Sequence, residues 1–463
     1  MLKNALQHAR KDRQKTVAEL SKLAAIPSCS FAGFPPAELK RAADATADLL
    51  RRSGLEHVKL VSVPGAPPYV YADWLHAPGK PTLLLYAHYD VQPVGDVRKW
   101  KSPPYKPTIR AGRLFGRGTA DDKAGIVVHA ASVAAWIKTS GKLPVNVKVL
   151  IEGEEECGGS HLDLFLKKNK KLIMSDVMVI ADCGNAETGL PSVTTSLRGL
   201  VAMDVTVSAL DHSLHSGMWG GPLADPVQAL AKMIASLSLP DGRIAIPGIY
   251  KGVRPLSRVE KESHKALRFI ANQYRKQAGL LPGVEIVGGK AGPLEKMWRL
   301  PAVSVNAIEA SSRKECANIV NGSAWCHLGI RTVPGMDNAR VLKLLKAHLL
   351  KNAPWGVKVE FSNIGTGPWW TTDPESEVFR ATNRALSAGY GKKTVYVGTG
   401  GSIPFVGELS EAMGGAPALL VGVEDPYSNP HSENESLDLS DLQKSVESSV
   451  RLYDELSRVK KVK

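Results

Sequence analysis

Along residues 36–55, Leu39, Ala42, Ala43, Leu49 and Leu50 share one face at helical spacing before Gly54 interrupts the pattern, predicting an amphipathic helix. Thr46 is the one polar position on that face. Four short apolar runs follow, at 82–86, 145–151, 177–180 and 418–423, unbroken rather than alternating, as strands covered on both faces are. Helical stretches separate the first three, including 124–138 after the Gly-rich GRLFGRGTADDK loop, which predicts βαβ units and a mostly parallel sheet. Between 200 and 368 the texture changes to alternating strands at 200–207 and 326–332 and longer helices at 225–236 and 337–350. The expected architecture is α/β: a domain of residues 1–199 and 369–463, its sheet flanked by helices, interrupted by a smaller α+β domain of residues 200–368.

A length of 463 residues fits two domains, and 43% hydrophobic with 22% charged residues is ordinary for a soluble globular chain. The charged opening MLKNALQHARKDRQ predicts neither a signal peptide nor a membrane anchor. Cys29, Cys157, Cys183, Cys316 and Cys326 are odd in number and lack CxxC spacing, so the sequence predicts no disulfide framework, and a cytoplasmic protein. The net charge of +14 raises nucleic-acid binding as a reading. Its basic clusters, around Lys167 and in the tail 458–463, do not interleave with aromatic residues, so solvated surface and no nucleic-acid partner are expected.

Candidate chemistry gathers where the buried runs end, the edge at which open α/β sheets bind ligands. LLLYAHYD ends in His88 and Asp90, VKVLIEGEEE in Glu154, Glu155 and Glu156, VMVIADC in Asp182, and the fourth run leads through LLVGVEDPYSNPHSENE to His431. A lone histidine or a run of glutamates has a bland explanation, but four strand ends converging on such groups do not. Their carboxylates would repel, and divalent cations are the usual means of holding them. Mixed imidazole and carboxylate ligands suit zinc, with manganese or cobalt as alternatives, and so many groups suit a pair of ions. Asp121, in the Gly-rich loop before a helix, is the natural bridge. Asp90, two residues past His88, can fix the ligating tautomer. Of Glu155 and Glu156, one can ligate while the other serves as general base.

The segments HYD, GRGTADDK, EGEEECGGS, LHSGMWGG, IRTVPGM, GGSIP and HSENE, in this order across nearly the whole chain, resemble the di-zinc metallopeptidases that include aminoacylase, carboxypeptidase G, succinyl-diaminopimelate desuccinylase and carnosinase. The resemblance implies a catalytic α/β domain and a lid that also forms a homodimer. It implies His88, Asp121 and Asp182 for one metal, Asp121, Glu156 and His431 for the other, and Glu155 as base on a water between them. His215 of LHSG would reach the partner's site to stabilise the oxyanion. Arg331 and Ser402 would grip a substrate carboxylate, with Asn318 and Gly401 completing the contacts. Asn318 opens an Asn-Ile-Val-Asn stretch where the similar dipeptidases carry a Thr-Val-Ile-Pro-like one that meets the partner subunit. Asp rather than Glu at 182, with HYDVQP and GGSIP, leans toward carnosinase-like cytosolic dipeptidases acting on small peptides. The alternative is a deacylase or other amidohydrolase taking N-acyl amino acids. Cys157 and Cys183, each next to an expected ligand, are read as packing residues.

Overall fold

The computed structural model describes residues 1–159, 161–267, 271–314, 316–401 and 404–460. Its main sheet has nine strands among the described residues, in the spatial order Glu56–Val61, Tyr69–Trp74, Asn146–Glu152, Thr82–His88, Val177–Ile180, Ala418–Leu420, Ser192–Leu197 and Trp370–Thr371, with Val395–Thr399 also pairing with Ser192–Leu197. The fold class is α/β, with one refinement. The sheet is mixed, parallel only through its four middle strands and on the Val395–Thr399 pairing. The 56–61 and 69–74 strands are joined by a short loop that needs no crossover helix, so they run antiparallel.

All four buried runs are strands, the last shortened to Ala418–Leu420. Register brings their ends level: His88 pairs with Glu152, and Ile180 with both Tyr86 and Leu420. A further bridge between Gly184 and Glu424 continues the parallel alignment past that edge. Helix Lys123–Ser140 is buried along most of its length against the sheet and against helix Leu439–Leu456. Its side chains are apolar nearly all round, as a helix covered on both sides requires. Helix Pro36–Ser53 stops at Gly54, whose φ of 98° is a left-handed conformation that suits glycine. Thr46 on its inner face is fully buried and its hydroxyl has no partner.

A second sheet, all antiparallel, runs Ala302–Glu309, Ser323–Thr332, Gly199–Ser208, Lys358–Gly367, and helices Pro226–Ala235 and Asn338–Lys351 build its core on one face. Not all of the 200–368 stretch stays with it. Helices Arg258–Ala266 and Pro293–Trp298 reach the main sheet and cover its edge strand Val395–Thr399, where the Tyr396 amide donates to Ser263 Oγ at 3.0 Å. Trp298 packs there with Leu267, Val395 and Val397 in a small apolar cluster of its own. An exposed edge strand invites unwanted pairing, and this cover removes it.

Candidate metal centre

Strand Ser436–Asp438 pairs with Arg113–Phe115, which pairs in turn with Thr108–Arg110, so the HSENE segment lies beside the Gly-rich loop that precedes helix Lys123–Ser140. Glu435, fully buried, fixes that loop. Its carboxylate accepts from Arg117 Nη1 at 2.7 Å and from the backbone amides of Gly118, Ala120 and Asp121 at 2.9, 2.9 and 3.2 Å. The Asp121–Asp122 peptide is cis. Asp122 then caps the helix, accepting from Gly125 N and His88 N, and thereby ties the loop to the strand carrying His88.

Asp121 consequently faces both ways. Its Oδ1 lies 3.0 Å from His88 Nε2 and its Oδ2 3.0 Å from His431 Nε2. His88 Nε2 is also 3.8 Å from Asp182 Oδ1, and His431 Nε2 is 3.1 Å from Glu156 Oε2. Two groups result, His88 with Asp121 and Asp182, and Asp121 with Glu156 and His431, each offering ligand atoms within 4.8 Å of one another. On its other side, His88 Nδ1 meets Asp90, 3.2 Å from its carbonyl oxygen and 3.3 Å from its carboxylate. Asp90 is itself held by Ser30 Oγ at 2.6 Å and by the Glu156 amide at 3.1 Å, and Gln92 Nε2 donates to Glu156 Oε2 at 2.8 Å. His431 sits at φ 60°, a left-handed backbone uncommon outside glycine but one that histidine adopts more readily than most residues.

The three adjacent glutamates divide their work. Glu154 turns away, accepting from Tyr69 Oη and from His161, and is a fastening of the loop. Glu156 joins the second group. Glu155 joins neither; burial pushes its carboxyl up to about 7, with His88 opposing and Glu156 and Asp121 adding to the rise. Burial likewise raises Asp182 and Glu424 well above the carboxylate range, while Asp121, despite its burial, is held low by hydrogen bonds from His431 and His88. Asp121 and Glu156 in turn hold the His431 imidazole up to about 10. Such a site is short of positive charge. Each group pairs one imidazole with two carboxylates, a donor set that fits a divalent ion of the zinc type.

The remaining expected residues lie elsewhere. His215 is exposed in a two-stranded ladder in which Leu214 and His215 pair with Val320 and Ile319, and the Ser216 amide donates to the Asn318 carbonyl at 2.8 Å. His215 and Asn318 are therefore neighbours. Among the described residues no hydrogen bond or ion pair joins either to the carboxylate cluster. Arg331 lies on strand Ser323–Thr332, and its charge, added to burial, lowers the Arg198 guanidinium to about 10. Arg198 Nε donates at 3.0 Å to the carbonyl of Gly400, next to Gly401. Ser402 lies outside the described residues. Cys183 is buried in the apolar core, and Cys157, though exposed, donates to the Glu154 carbonyl; neither belongs to a ligand group.

Residues 84–455 match the model of peptidase family M20/M25/M40. The chain belongs to this family. It is 34% identical over 366 residues to the cysteinylglycine-S-conjugate dipeptidase of Corynebacterium striatum, covering 78% of each chain. It is 29% identical over 456 residues to the human Beta-Ala-His dipeptidase, covering 94% of this chain and 89% of that one. Among solved structures, human carnosine dipeptidase 1 superposes with a TM-score of 0.83 at 27% identity, and the Saccharomyces cerevisiae dipeptidase Dug1p with 0.82 at 27%, each over 99% of both chains. The peptidase is thus a metal-dependent hydrolase.

Sequence reasoning passed over several residues of this peptidase's site. Glu435 and Gln92 lay inside segments already singled out, HSENE and HYDVQP, but nothing in their spacing tells a fastening from a ligand. Glu424 directly follows the fourth buried run and was passed over in favour of His431, while Arg198 and Ser30 stand in no pattern that carries chemistry by itself. Glu435 has the clearest consequence. Replacing it with Ala leaves Arg117 buried and unpaired and removes the acceptor for three amides, so unfolding free energy should fall by about 3–5 kcal/mol. Thermal denaturation checks this, and an unchanged melting temperature would contradict it.

Proposed function

We propose that the peptidase hydrolyses dipeptides using two divalent ions, most simply zinc, with manganese or cobalt as substitutes. His88, Asp121 and Asp182 would hold one, and Asp121, Glu156 and His431 the other. The observation that carries this reading is Asp121, whose two oxygens face two different imidazoles at equal distance. The dipeptidase relatives support dipeptide hydrolysis over the deacylase alternative.

When bound, the ions supply the positive charge that acidifies water and polarises a carbonyl. The chain's own residues supply the rest. Asp90 holds His88 in the tautomer that leaves Nε2 free. Glu155 takes the proton of the attacking water and delivers it to the leaving amine. Arg331, backed by Gly401 and Ser402, grips the terminal carboxylate through charge-assisted hydrogen bonds.

His215 and Asn318 complete the site from a second copy of the chain, residues 200–368 acting as lid and dimerisation domain over a catalytic domain of 1–199 and 369–463. In support, strand Ala302–Glu309 lies at an edge of the second sheet with Val305 and Ile308 exposed, 39% and 60%, as a surface awaiting a partner does. The cysteines among the described residues are all free, which suits the cytoplasm. No described helix is long and apolar enough to cross a membrane.

Two tests separate the parts of this reading. Metal-reconstituted protein should cleave members of a dipeptide panel and spare N-acyl amino acids, and the reverse result would favour the deacylase. Glu155→Gln and His215→Ala chains, each inactive alone, should on subunit exchange recover about a quarter of wild-type activity, because half the dimers are mixed and one of their two sites is whole. Recovery of nothing, with exchange verified, contradicts the shared site.

A further inference from the structure

Beside the carboxylate cluster lies a cavity of about 450 Å³, in the size range of small-molecule sites. One wall is Glu424. It follows strand Ala418–Leu420 and bridges to Gly184, two residues beyond Asp182, so it stands next to the proposed ions without belonging to either ligand group. The two lie close together: a Cβ on Gly184 would stand 3.8 Å from Glu424 Oε2, in ordinary contact. The Glu424 carboxylate accepts a hydrogen bond from no described residue, and the charges nearest it include Asp121, Glu435 and Glu156, with His431 the opposing cation. A carboxyl so placed carries its charge only beside a cationic partner.

Another part of the lining, which also includes Tyr274 and Gln277, is rich in apolar side chains. Leu294, Met297 and Trp298 come from the segment that covers the edge strand, and Leu267 joins them. Trp298 approaches so closely that a Cβ on Gly398 would stand 2.6 Å from the Trp298 Cβ, and His264 braces its ring edge-on at 5.3 Å between centroids. The apolar cluster to which this wall belongs is separate from the main cores, and Leu294 and Met297 remain only partly covered on the cavity side. Gly400, beside the proposed carboxylate grip, also lines the cavity.

We propose that this cavity receives the N-terminal residue of the dipeptide, with Glu424 binding its α-ammonium and the Leu267, Leu294, Met297 and Trp298 wall taking a large apolar side chain. The proposal rests on the dipeptidase reading and adds a substrate class to it: free-amine dipeptides with a bulky apolar first residue. A protonated amine gives Glu424 the charge-assisted hydrogen bond it lacks. A leucyl or phenylalanyl side chain covers apolar surface that otherwise faces water.

The test uses full-length, metal-reconstituted protein with Gly-Gly, Ala-Gly, Leu-Gly, Phe-Gly and N-acetyl-Leu-Gly. Wild type should prefer Leu-Gly to Gly-Gly by roughly 10²-fold in kcat/KM, the gain a few methylenes bring in an apolar pocket. Met297→Ala should narrow that preference. Glu424→Gln, which keeps the volume, should raise the KM for Leu-Gly, shrink the discrimination against N-acetyl-Leu-Gly, and leave two metals per chain by elemental analysis. Equal use of Gly-Gly and Leu-Gly, unchanged discrimination in Glu424→Gln, or loss of a metal in that variant each overturns the proposal while dipeptidase activity stands. No dipeptide turnover by wild type overturns the dipeptidase reading as well.

Discussion

Glu155→Gln protein is expected to lose roughly 10²–10⁴-fold in kcat, the usual contribution of a general base, while keeping both metals. Glu155 belongs to neither ligand group, yet it lies half-buried against them, with His88, Glu156 and Asp121 the charges that most affect it. Gln preserves the shape and removes only the proton-accepting oxygen. The pH dependence follows with its sign. Burial raises this carboxyl to about 7, so the base is protonated and idle below that value and active above it. Bound cations favour the ionised form and move the limb downward. The wild-type profile of kcat/KM should therefore fall on the acid side of about pH 7, and initial rates on a cleaved dipeptide, with elemental analysis of the same samples, check both statements. A Gln variant with near-normal turnover would remove Glu155 from the mechanism.

Asp121→Asn has the larger effect on the metals themselves. Asp121 alone stands in both groups, so its replacement weakens two ions at once, whereas Asp182→Asn or His431→Ala touches one. The expected metal content is near wild type for Glu155→Gln, about one ion for the single-group variants, and well below one for Asp121→Asn, following a bridging role. Activity should vanish with it. The result would be irrelevant if the Asn chain were unfolded. Glu435, which aligns the loop through the backbone amides of Gly118, Ala120 and Asp121, makes no hydrogen bond to the replaced side chain, so circular dichroism should show the fold intact. Two ions retained by Asp121→Asn would break the shared-ligand account.

The central strands and the gathering of imidazoles and carboxylates at one sheet edge were legible because one physical cause produced both signals. Strands buried on both faces are continuous apolar runs, and the polar residues that end them must lie at one edge, so the runs located the chemistry as well as the sheet. Strand Ser192–Leu197 escaped for the converse reason. Its sequence SVTTSL has no apolar run, yet Thr194, Thr195 and Ser196 are 1–2% exposed, and Thr195 Oγ1 settles its polarity by donating to the Val397 carbonyl. Burial there follows from tertiary pairing, which composition does not record. The sheet's parallel character was overestimated because 56–61 and 69–74, whose hairpin-like pairing adds antiparallel edges, alternate too weakly to be read as strands. The same limit hid the cover on Val395–Thr399. Residues 258–298 read as part of the inserted stretch, and only the fold shows that Trp298 and Ser263 return to the main sheet. For the site, adjacency in EEE could not apportion roles among Glu154, Glu155 and Glu156; the partners Tyr69 and His161 settle the first.

Zinc anomalous diffraction from crystals of metal-reconstituted protein tests most directly whether a pair of ions shares Asp121. Two peaks roughly 3.5–4 Å apart, flanking the Asp121 carboxylate with His88 and Asp182 on one side and Glu156 and His431 on the other, are predicted. A single peak, or two peaks that do not both touch Asp121, would contradict that sharing.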